Sequence, residues 1–591
     1  MRYKRSLLIS VAIGLLMLVS AACVKSDNTN TTDTTNASQN SEKESNKENK
    51  KETKKREKSK NSEDKEEVKQ VSEVPHIILE KTSQIYVDKN SDHYLYISEI
   101  SHLCLKNDSE EFKPLAKALD KYNEEADANI AKAREEMAAC CEDLKKDSPS
   151  YFYNHPMLSD ETDVYVIRSD KNIVSILDYR VADYGGVHPG YQYSSHNYDT
   201  NTGEEIKFTD VVKDTSAFFG LADNKIKENY PDDNLTMPSE YVKDMQDSNY
   251  KDLVWTVNAE GVSVYFNTYT LGAYASGVQI ITVYFDQAKD MFNDKYVNKE
   301  KDYVFPLLTE DMVIDLDINN EGKREPVRVK NLKEKVYEDN DIYFTGMEVL
   351  AGDKKSVRIY GYDGSTYVIK KDGKYYMYLF LEQEGDYEAL SVVDLSTMNY
   401  DMTDDTFYIG LASITTYWSE DGNTYTWLEE TFTDTQSFQA SISAQLLSTF
   451  FAAKEWYVGK NGRPESNEDR YKVTSNHVLH TLKDVKCEEV DEKGNVKKSA
   501  VIPENSYLLF LYSDGENWVD VRIIDENDVN ITKTDNGDGS FDKYFSVKNT
   551  SLKDYKGPLY RITINKDEEY YKTKVGGVDI NQLFEGIVFA G

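Results

Sequence analysis

Cysteine is scarce in this chain of 591 residues, and the five that occur are irregularly spaced: Cys23, Cys104, Cys140, Cys141 and Cys487. This pattern excludes a disulfide framework and a Cys-x-x-Cys redox pair. Cys140 and Cys141 are neighbours in a predicted helix, and one of them could pair with Cys104. We favour the alternative, in which these thiols are buried and pack as small hydrophobic groups.

Signatures of common catalytic sites are also absent. The sequence contains no His-Glu-x-x-His, Gly-x-Ser-x-Gly, P-loop or Gly-x-Gly-x-x-Gly motif. Zinc-peptidase, serine-hydrolase and nucleotide-binding classes therefore have no motif to support them. With 105 acidic residues in the chain, a pair of carboxylates close in sequence carries no information about catalysis.

Positive charge is in deficit. Lys and Arg total 70 against 105 Asp and Glu, which gives a formal net charge of −35. Such a surface repels nucleic acid and attracts cations and basic proteins, although solubility is the simpler reason for acidic charge. We therefore expect no nucleic-acid partner.

The N-terminus carries the pattern of an export signal. Arg2, Lys4 and Arg5 precede an apolar run from Leu7 to Val19, and small residues then lead to Cys23. A basic N-terminal region, a short apolar region and small residues before the cleavage site are typical of a signal peptide, here residues 1–22. The segment resembles a bacterial lipobox, with Ser20 where Leu is commoner, and this resemblance implies that Cys23 carries a lipid such as palmitate. An ordinary secreted protein and an uncleaved anchor are the alternatives.

A polar segment follows the predicted lipidation site. Residues 23–72 are almost wholly Asn, Thr, Ser, Lys and Glu, with no aromatic residue. A segment of this composition buries too little apolar surface to offset the entropy of ordering it. We interpret it as a disordered tether that holds the following domains at the outer face of the cell membrane.

Residues 73–297 have the pattern of an α+β domain. Strand-like alternation over 74–100 precedes a helix predicted from Pro114 to about Leu144, and two strands are predicted over 163–168 and 173–179. A glycine-rich segment, Tyr184-Gly185-Gly186-Val187-His188-Pro189-Gly190-Tyr191, follows the second strand. Tyr198 to Ile206, with a turn at Asn201-Thr202-Gly203, and Tyr274-Ala275-Ser276-Gly277 come later.

Together these motifs resemble the extracytoplasmic domain of RsiV-type anti-sigma factors, a domain also found beside polysaccharide deacetylases. The resemblance implies an RsiV-like α+β domain and, because the family includes a lysozyme receptor, a basic protein such as lysozyme as a partner. Only six residues precede the apolar run, so we expect no cytoplasmic segment and no anti-sigma role.

The glycine-rich segment is the candidate ligand loop of this domain, with Tyr184, Gly185, Gly186, His188 and Tyr191 as its candidate residues. Glycine permits backbone paths that other residues resist. His188 could act in chemistry, but a histidine beside glycines more often packs or caps a turn.

The second half of the chain has a candidate calcium loop. Asp317, Asn319, Glu321 and Glu325 fall at positions 1, 3, 5 and 9, with Gly322 between them. Oxygen ligands spaced around a glycine turn suit a hard cation such as Ca²⁺. Glu321 is longer than the usual Asp, and an empty polar hairpin is the alternative.

The remaining pattern predicts mainly antiparallel β-structure. Within a β-rich domain, 298–480, four strands of a meander are predicted over 357–360, 366–371, 375–381 and 387–395. Residues 481–591, with a strand–turn–strand over 507–523, resemble bacterial SH3-like wall-associated domains. The predicted fold class is therefore multidomain α+β, ending in a small SH3-like barrel.

These features favour a membrane-anchored extracytoplasmic lipoprotein that binds or senses a cell-envelope ligand without catalysis. One alternative is an enzyme that processes cell-wall glycan or peptide, with His188 in its site. Another is a structural surface spacer.

Overall fold

The structure, a computed structural model, describes residues 71–88, 93–107, 109–154, 157–231, 235–288, 290–308, 312–335, 342–361, 364–383, 388–419, 422–535, 541–548, 555–565 and 572–589. The predicted signal peptide, Cys23 and nearly all of the tether lie outside these residues. Among the described residues, no helix is both long enough and apolar enough to cross a membrane.

The first part of the chain combines strands with all five of the α-helices found in the described residues. Its strands are β1 (Ile77–Val87), β2 (Tyr94–Leu105), β3 (Leu158–Ser169), β4 (Ile173–Asp183), β5 (Gly190–Asp199), β6 (Val254–Val257), β7 (Gly261–Phe266) and β8 (Gln279–Tyr284). Its helices are α1 (Lys113–Asp147), α2 (Pro149–Asn154), α3 (Phe208–Val211), α4 (Thr215–Asn229) and α5 (Ser239–Asp247).

Helix α1 confirms the helix predicted from apolar spacing. Its predicted apolar side is buried at Leu115, Leu119, Tyr122, Ile130 and Met137. Leu115 and Leu119 pack with strand residues such as Val164 and Ile176 in one core cluster. Positions three and four apart share one face of a helix, so this spacing lays α1 along the sheet.

The middle of the chain is built of twelve further strands. They are β9 (Tyr303–Pro306), β10 (Ile314–Leu316), β11 (Glu325–Lys335), β12 (Ile342–Ala351), β13 (Lys354–Lys355), β14 (Gly364–Lys371), β15 (Lys374–Glu382), β16 (Glu388–Asp394), β17 (Thr406–Phe407), β18 (Gly410–Leu411), β19 (Ser413–Trp418) and β20 (Thr424–Glu430).

The C-terminal part continues with strands and with the short 3-10 helices Glu526–Asp528 and Ile580–Gln582. Its strands are β21 (Phe438–Gln445), β22 (Thr449–Val458), β23 (Pro464–Glu465), β24 (Tyr471–Val473), β25 (His477–Thr481), β26 (Val485–Val490), β27 (Val496–Ile502), β28 (Tyr507–Ser513), β29 (Trp518–Ile524), β30 (Val529–Asp535), β31 (Phe541–Val547), β32 (Leu559–Thr563), β33 (Lys574–Val575), β34 (Val578–Asp579) and β35 (Phe584–Glu585). The predicted strand–turn–strand over 507–523 is confirmed as β28 and β29.

Strand pairing links segments that the sequence analysis assigned to different domains. The first sheet has the order β19-β20-β1-β2-β3-β4-β5, so β19 and β20 from the middle of the chain complete it. Within this sheet β2 and β3 are parallel and the other neighbours are antiparallel. A fourteen-stranded sheet contains strands from β18 to β35 and spans the predicted boundary at residue 480.

The predicted meander is wrong in its first strand. The middle sheet has the order β17-β16-β15-β14-β9, so the neighbour of β14 is β9. Residues 357–360 lie instead against β12, where Ile359 forms an isolated bridge with Met347. Alternation of apolar residues predicts extended backbone but does not identify the partner strand.

The described chain is mainly β-structure in several antiparallel sheets with few helices, which agrees with the predicted multidomain α+β class. The RsiV-like and SH3-like assignments of individual domains stay predictions.

Candidate functional site

The glycine-rich segment (184–191) forms the turn between β4 and β5. Ala182 pairs with Gly190 at its base. Gly185 has φ +75°, and a Cβ at this position would lie 3.0 Å from Leu144 Cδ1 and 3.4 Å from Leu158 Cδ2. A left-handed backbone and close contact with helix α1 both favour glycine here. The sequence therefore brings this loop tightly against the end of α1.

The base of the loop is fixed by a buried carboxylate. Asp160 is 1% exposed and accepts hydrogen bonds from Tyr184 Oη at 2.6 Å and Arg180 Nε at 2.8 Å. Burial, together with the hydrogen bond to Asp160, raises the pKa of the Tyr184 phenol. Hydrogen bonding to Asp160 raises the pKa of Arg180. Tyr184, a candidate ligand residue, thus anchors the loop.

His188 packs on a second loop. Its ring stacks on Tyr274 with centroids 3.7 Å apart and planes at 20°. Tyr274 Oη donates to Pro189 O at 2.9 Å, and His188 Nδ1 lies 3.2 Å from the same oxygen. Tyr274 belongs to a short 3-10 turn, Tyr274–Ser276, in the predicted Tyr-Ala-x-Gly motif. The two motifs that the sequence analysis singled out are therefore in contact.

The surroundings of His188 give it no triad-like geometry. No carboxylate within the described ranges forms a hydrogen bond or ion pair with this ring. A histidine base is normally oriented by a third polar group on its second nitrogen. The contacts that the structure describes for His188 are the stacking on Tyr274 and the approach to Pro189 O.

An aromatic cluster extends from His188 across the sheet. Tyr191 lies parallel to Tyr179, with ring centroids 6.2 Å apart, and 6.3 Å from Tyr274. Tyr269 lies 5.9 Å from Tyr274 and is 65% exposed. Tyr269 also has φ +70°, a left-handed conformation that is costly for a bulky side chain. Strain at an exposed aromatic residue indicates a role other than packing.

A cavity of about 270 Å³ lies beside the other half of the loop. Its lining includes Gly185, Gly186 and Val187 from the loop, and His93, Leu144 and Phe152 from the neighbouring elements. Val187 is fully exposed, at 102% of its reference area. The His93 ring packs on Phe152 at 5.0 Å, so the wall opposite the loop is aromatic.

Some of these residues were missed by sequence reasoning. Asp160, Arg180, Tyr269 and the cavity walls His93 and Phe152 lie in unremarkable stretches of sequence. For Asp160 and Arg180 the available signal was the alternation that predicts their strands, and it does not show which side chains meet across a sheet.

The predicted calcium ligands lie in the turn after β10 and at the start of β11. Asp317 Oδ1 accepts from Glu321 N and Asp317 Oδ2 from Gly322 N, both at 2.9 Å, so this carboxylate caps the turn. Asn319 and Glu321 are exposed, whereas Glu325 lies on β11 beside Gly352. In the part of the chain that the structure describes, no group of three His, Cys, Asp or Glu residues could hold a metal ion. The Asp317 carboxylate thus accepts two backbone N–H groups, and the calcium loop stays a prediction.

Comparison with known proteins gives distant similarities only. No protein-family model and no curated protein matches the sequence. A DUF3298-family protein from Bacteroides fragilis is 14% identical, with 37% of this chain and 94% of that chain covered and a TM-score of 0.28. A DUF3298-family protein from Pseudomonas aeruginosa is 13% identical, with 38% and 97% covered and a TM-score of 0.25. The structural neighbours of this chain are thus distant members of the DUF3298 family.

Proposed function

We propose that this chain is a membrane-anchored extracytoplasmic lipoprotein that binds a cell-envelope ligand at the glycine-rich loop without catalysing a reaction. The observation that carries the proposal is the loop itself. Its first half lines a cavity, and its second half joins an aromatic cluster with an exposed, strained Tyr269.

The chemistry of the loop suits a ligand with a ring or an aliphatic group. Ligand pockets typically measure about 300–1,000 Å³, and the cavity of about 270 Å³ is slightly smaller than that range. It therefore fits one sugar ring or one side chain of a longer molecule. Tyr rings offer apolar faces together with a polar hydroxyl, which suits both glycan and peptide. Cell-wall glycan or its peptide is the ligand class that we propose.

The contacts of His188 support the proposal of binding rather than catalysis. An enzyme that cleaves wall glycan or peptide would need an activated base or a positioned acid near the ligand. Here His188 stacks on Tyr274 and contacts a backbone carbonyl oxygen. The enzyme and the structural spacer remain the alternatives that the experiment must separate.

The test is co-sedimentation of the full chain with defined peptidoglycan, followed by analysis of the supernatant for released fragments. Val187→Asp places a charge at the cavity without disturbing packing, because Val187 is fully exposed. Val357→Asp is the matched control, since Val357 is 59% exposed and lies elsewhere on the surface. We expect the wild type and the control to sediment and Val187→Asp to remain in solution.

A second variant tests the aromatic half of the loop site. Tyr269→Gly removes the ring and relaxes the left-handed backbone, so it should lower binding while leaving stability unchanged or raised. Peptidoglycan fragments released into the supernatant would support the enzyme hypothesis over the binding hypothesis. Equal sedimentation of all variants would remove the loop from the binding site, and no sedimentation at all would favour the spacer.

A basic protein such as lysozyme is the other partner that we propose for this loop. The net charge of −35 speeds encounter with a cationic protein, but charge alone does not give specificity. We expect lysozyme to bind the full chain at physiological salt and to lose affinity when His188 and Tyr191 are both changed to Ala. Binding that salt abolishes, or that any cationic protein reproduces, would reduce the effect to charge attraction.

A further inference from the structure

Three arginines meet at one end of the β26–β27 hairpin, far in sequence from the glycine-rich loop. Arg522 Nη2 donates to Glu492 Oε1 at 2.8 Å, and Arg470 Nη2 donates to Glu492 O in the same turn. Arg561 donates from Nε and Nη2 to Asp520 at 2.7 and 2.8 Å. Gly494, in the turn, approaches Arg561 and Arg470 closely, because a Cβ there would lie 3.0 and 3.4 Å from their Nη atoms.

The cluster has more donors than acceptors. Arg470 Nη1 and Arg522 Nε are buried and have no hydrogen-bond partner among the described residues. Asp520 is fully buried and is held by Arg561, and it lies 3.9 Å from Arg470. Buried donors without an acceptor are costly, particularly when they are charged. An additional oxyanion at this position would satisfy them.

The carboxylate that now contacts Arg522 is poorly fixed. The Glu492 side chain is 70% exposed, whereas the Arg522 side chain is 10% exposed. An ion pair with one partner largely in water contributes little. The largely exposed Glu492 side chain therefore occupies a position that another oxyanion could take.

Two aromatic rings hold the arginines in place. The Arg470 guanidinium lies 3.9 Å from the Tyr512 ring centroid, and that of Arg561 lies 3.6 Å from the Trp518 centroid. Guanidinium groups stacked in this way are already ordered, so less entropy is lost when they bind. Planar forks of N–H donors match phosphate and carboxylate oxygens. A preorganised cationic cluster is unexpected on a chain with a net charge of −35.

We infer that Arg470, Arg522 and Arg561 form an oxyanion-binding site, with phosphate as its probe, in which the Glu492 carboxylate acts as an exchangeable internal ligand. A free phosphate ion and a phosphodiester chain present the same oxygens to this site. The site is separate from the glycine-rich loop and does not depend on the function proposed for it.

The test is calorimetric titration of the full chain with inorganic phosphate at constant ionic strength. Glu492→Gln removes the competing carboxylate, so we expect about tenfold tighter binding of phosphate. Glu504→Gln is the matched control, because Glu504 is exposed at the opposite end of the same hairpin and the charge change is identical. Arg470→Met should weaken binding at least tenfold.

Each outcome of the titration either supports or overturns the oxyanion site. Equal phosphate affinity for the wild type, Glu492→Gln and Glu504→Gln would overturn the assignment, as would binding that survives Arg470→Met. If Arg470→Met fails to fold by circular dichroism, the comparison of the two glutamate variants decides alone. A glycerol-phosphate oligomer that binds more tightly than inorganic phosphate identifies the polymer as the ligand, and equal affinity identifies the free ion. Absence of binding by both probes refutes the site.

Discussion

Glu260 joins the first part of the chain to the strands that follow residue 297. It is 6% exposed, in the turn between β6 and β7. Its Oε1 accepts hydrogen bonds from Tyr303 Oη and, at 2.7 Å, from Tyr375 Oη. Its Oε2 accepts from Arg324 Nη2 at 2.8 Å. One carboxylate therefore satisfies donors on β9, on β15 and immediately before β11.

Removing this carboxylate should destabilise the junction strongly. Glu260→Ala leaves two buried hydroxyls and a guanidinium whose side chain is 16% exposed. Breaking a buried ion pair by deleting one partner costs about 3–5 kcal/mol. Arg324 keeps a contact at 3.0 Å with Asp286, which is 57% exposed, so we expect the lower end, about 3 kcal/mol. Glu260→Gln keeps an acceptor oxygen and should lose about 1–2 kcal/mol.

Urea unfolding, followed by circular dichroism and tryptophan fluorescence, measures the loss. A double-mutant cycle with Arg324→Met identifies the cause of this loss, because the guanidinium that has lost its Glu260 partner is absent from the double variant. We expect the double variant to be more stable than the sum of the single changes predicts, by at least about 1 kcal/mol. A loss below about 1 kcal/mol for Glu260→Ala, or a cycle without coupling, would refute the argument that this buried pair holds the junction.

Four further predictions concern single residues. Gly203→Ala should lower the melting temperature, because Gly203 has φ +67° and a Cβ there would lie 2.1 Å from Pro114 O. Gly576→Ala is the control: at φ +58° with open space around it, this change introduces the backbone strain without the steric clash. Burial lowers the pKa of His477 from 6.5 to about 4, so the unfolded chain binds the proton more readily between these values. Stability should therefore fall by about 2–3 kcal/mol as pH drops from 6.5 to 4, and His477→Gln should remove that part of the pH dependence in acid titrations of the melting curve. Asp317→Ala should lower the free energy of unfolding by about 1 kcal/mol through loss of the turn cap, equally with calcium and with chelator. If calcium raised the melting temperature of the wild type but not of the variant, the calcium loop would be supported instead. Cys23→Ala should abolish incorporation of a tagged fatty acid in metabolic labelling, and label retained on this variant would contradict the lipoprotein prediction.

Local patterns were the most reliable guide to the fold. Spacing of apolar residues predicted α1 from Pro114 to about Leu144, and the helix extends from Lys113 to Asp147. Helical periodicity repeats within a few residues, so a single stretch of sequence contains it. Glycine at a left-handed position is equally local, and Gly185 was identified for this reason.

Contacts between distant segments could not be predicted. The stacking of His188 on Tyr274 depends on how two loops, 86 positions apart in sequence, are placed relative to each other, and neither segment alone contains that information. For the same reason the alternating residues 357–360 were assigned to the wrong sheet. Asp160, which fixes the base of the loop, looks in sequence like any other acidic residue of an acidic chain.

The pairing of β20 with β1 has a consequence for how the chain reaches its folded state. Thr82 lies opposite Thr426 across this pairing, so β1 can form this pair only with residues more than three hundred positions later in the chain. Closing so long a loop is slow, and an exposed strand edge can pair with other chains in the interval. Because synthesis proceeds from the N-terminus, β1 emerges long before β20, with one edge unsatisfied. Folding should therefore be limited by arrival of the residues near 430, and any truncation at 297 should yield a protein that aggregates.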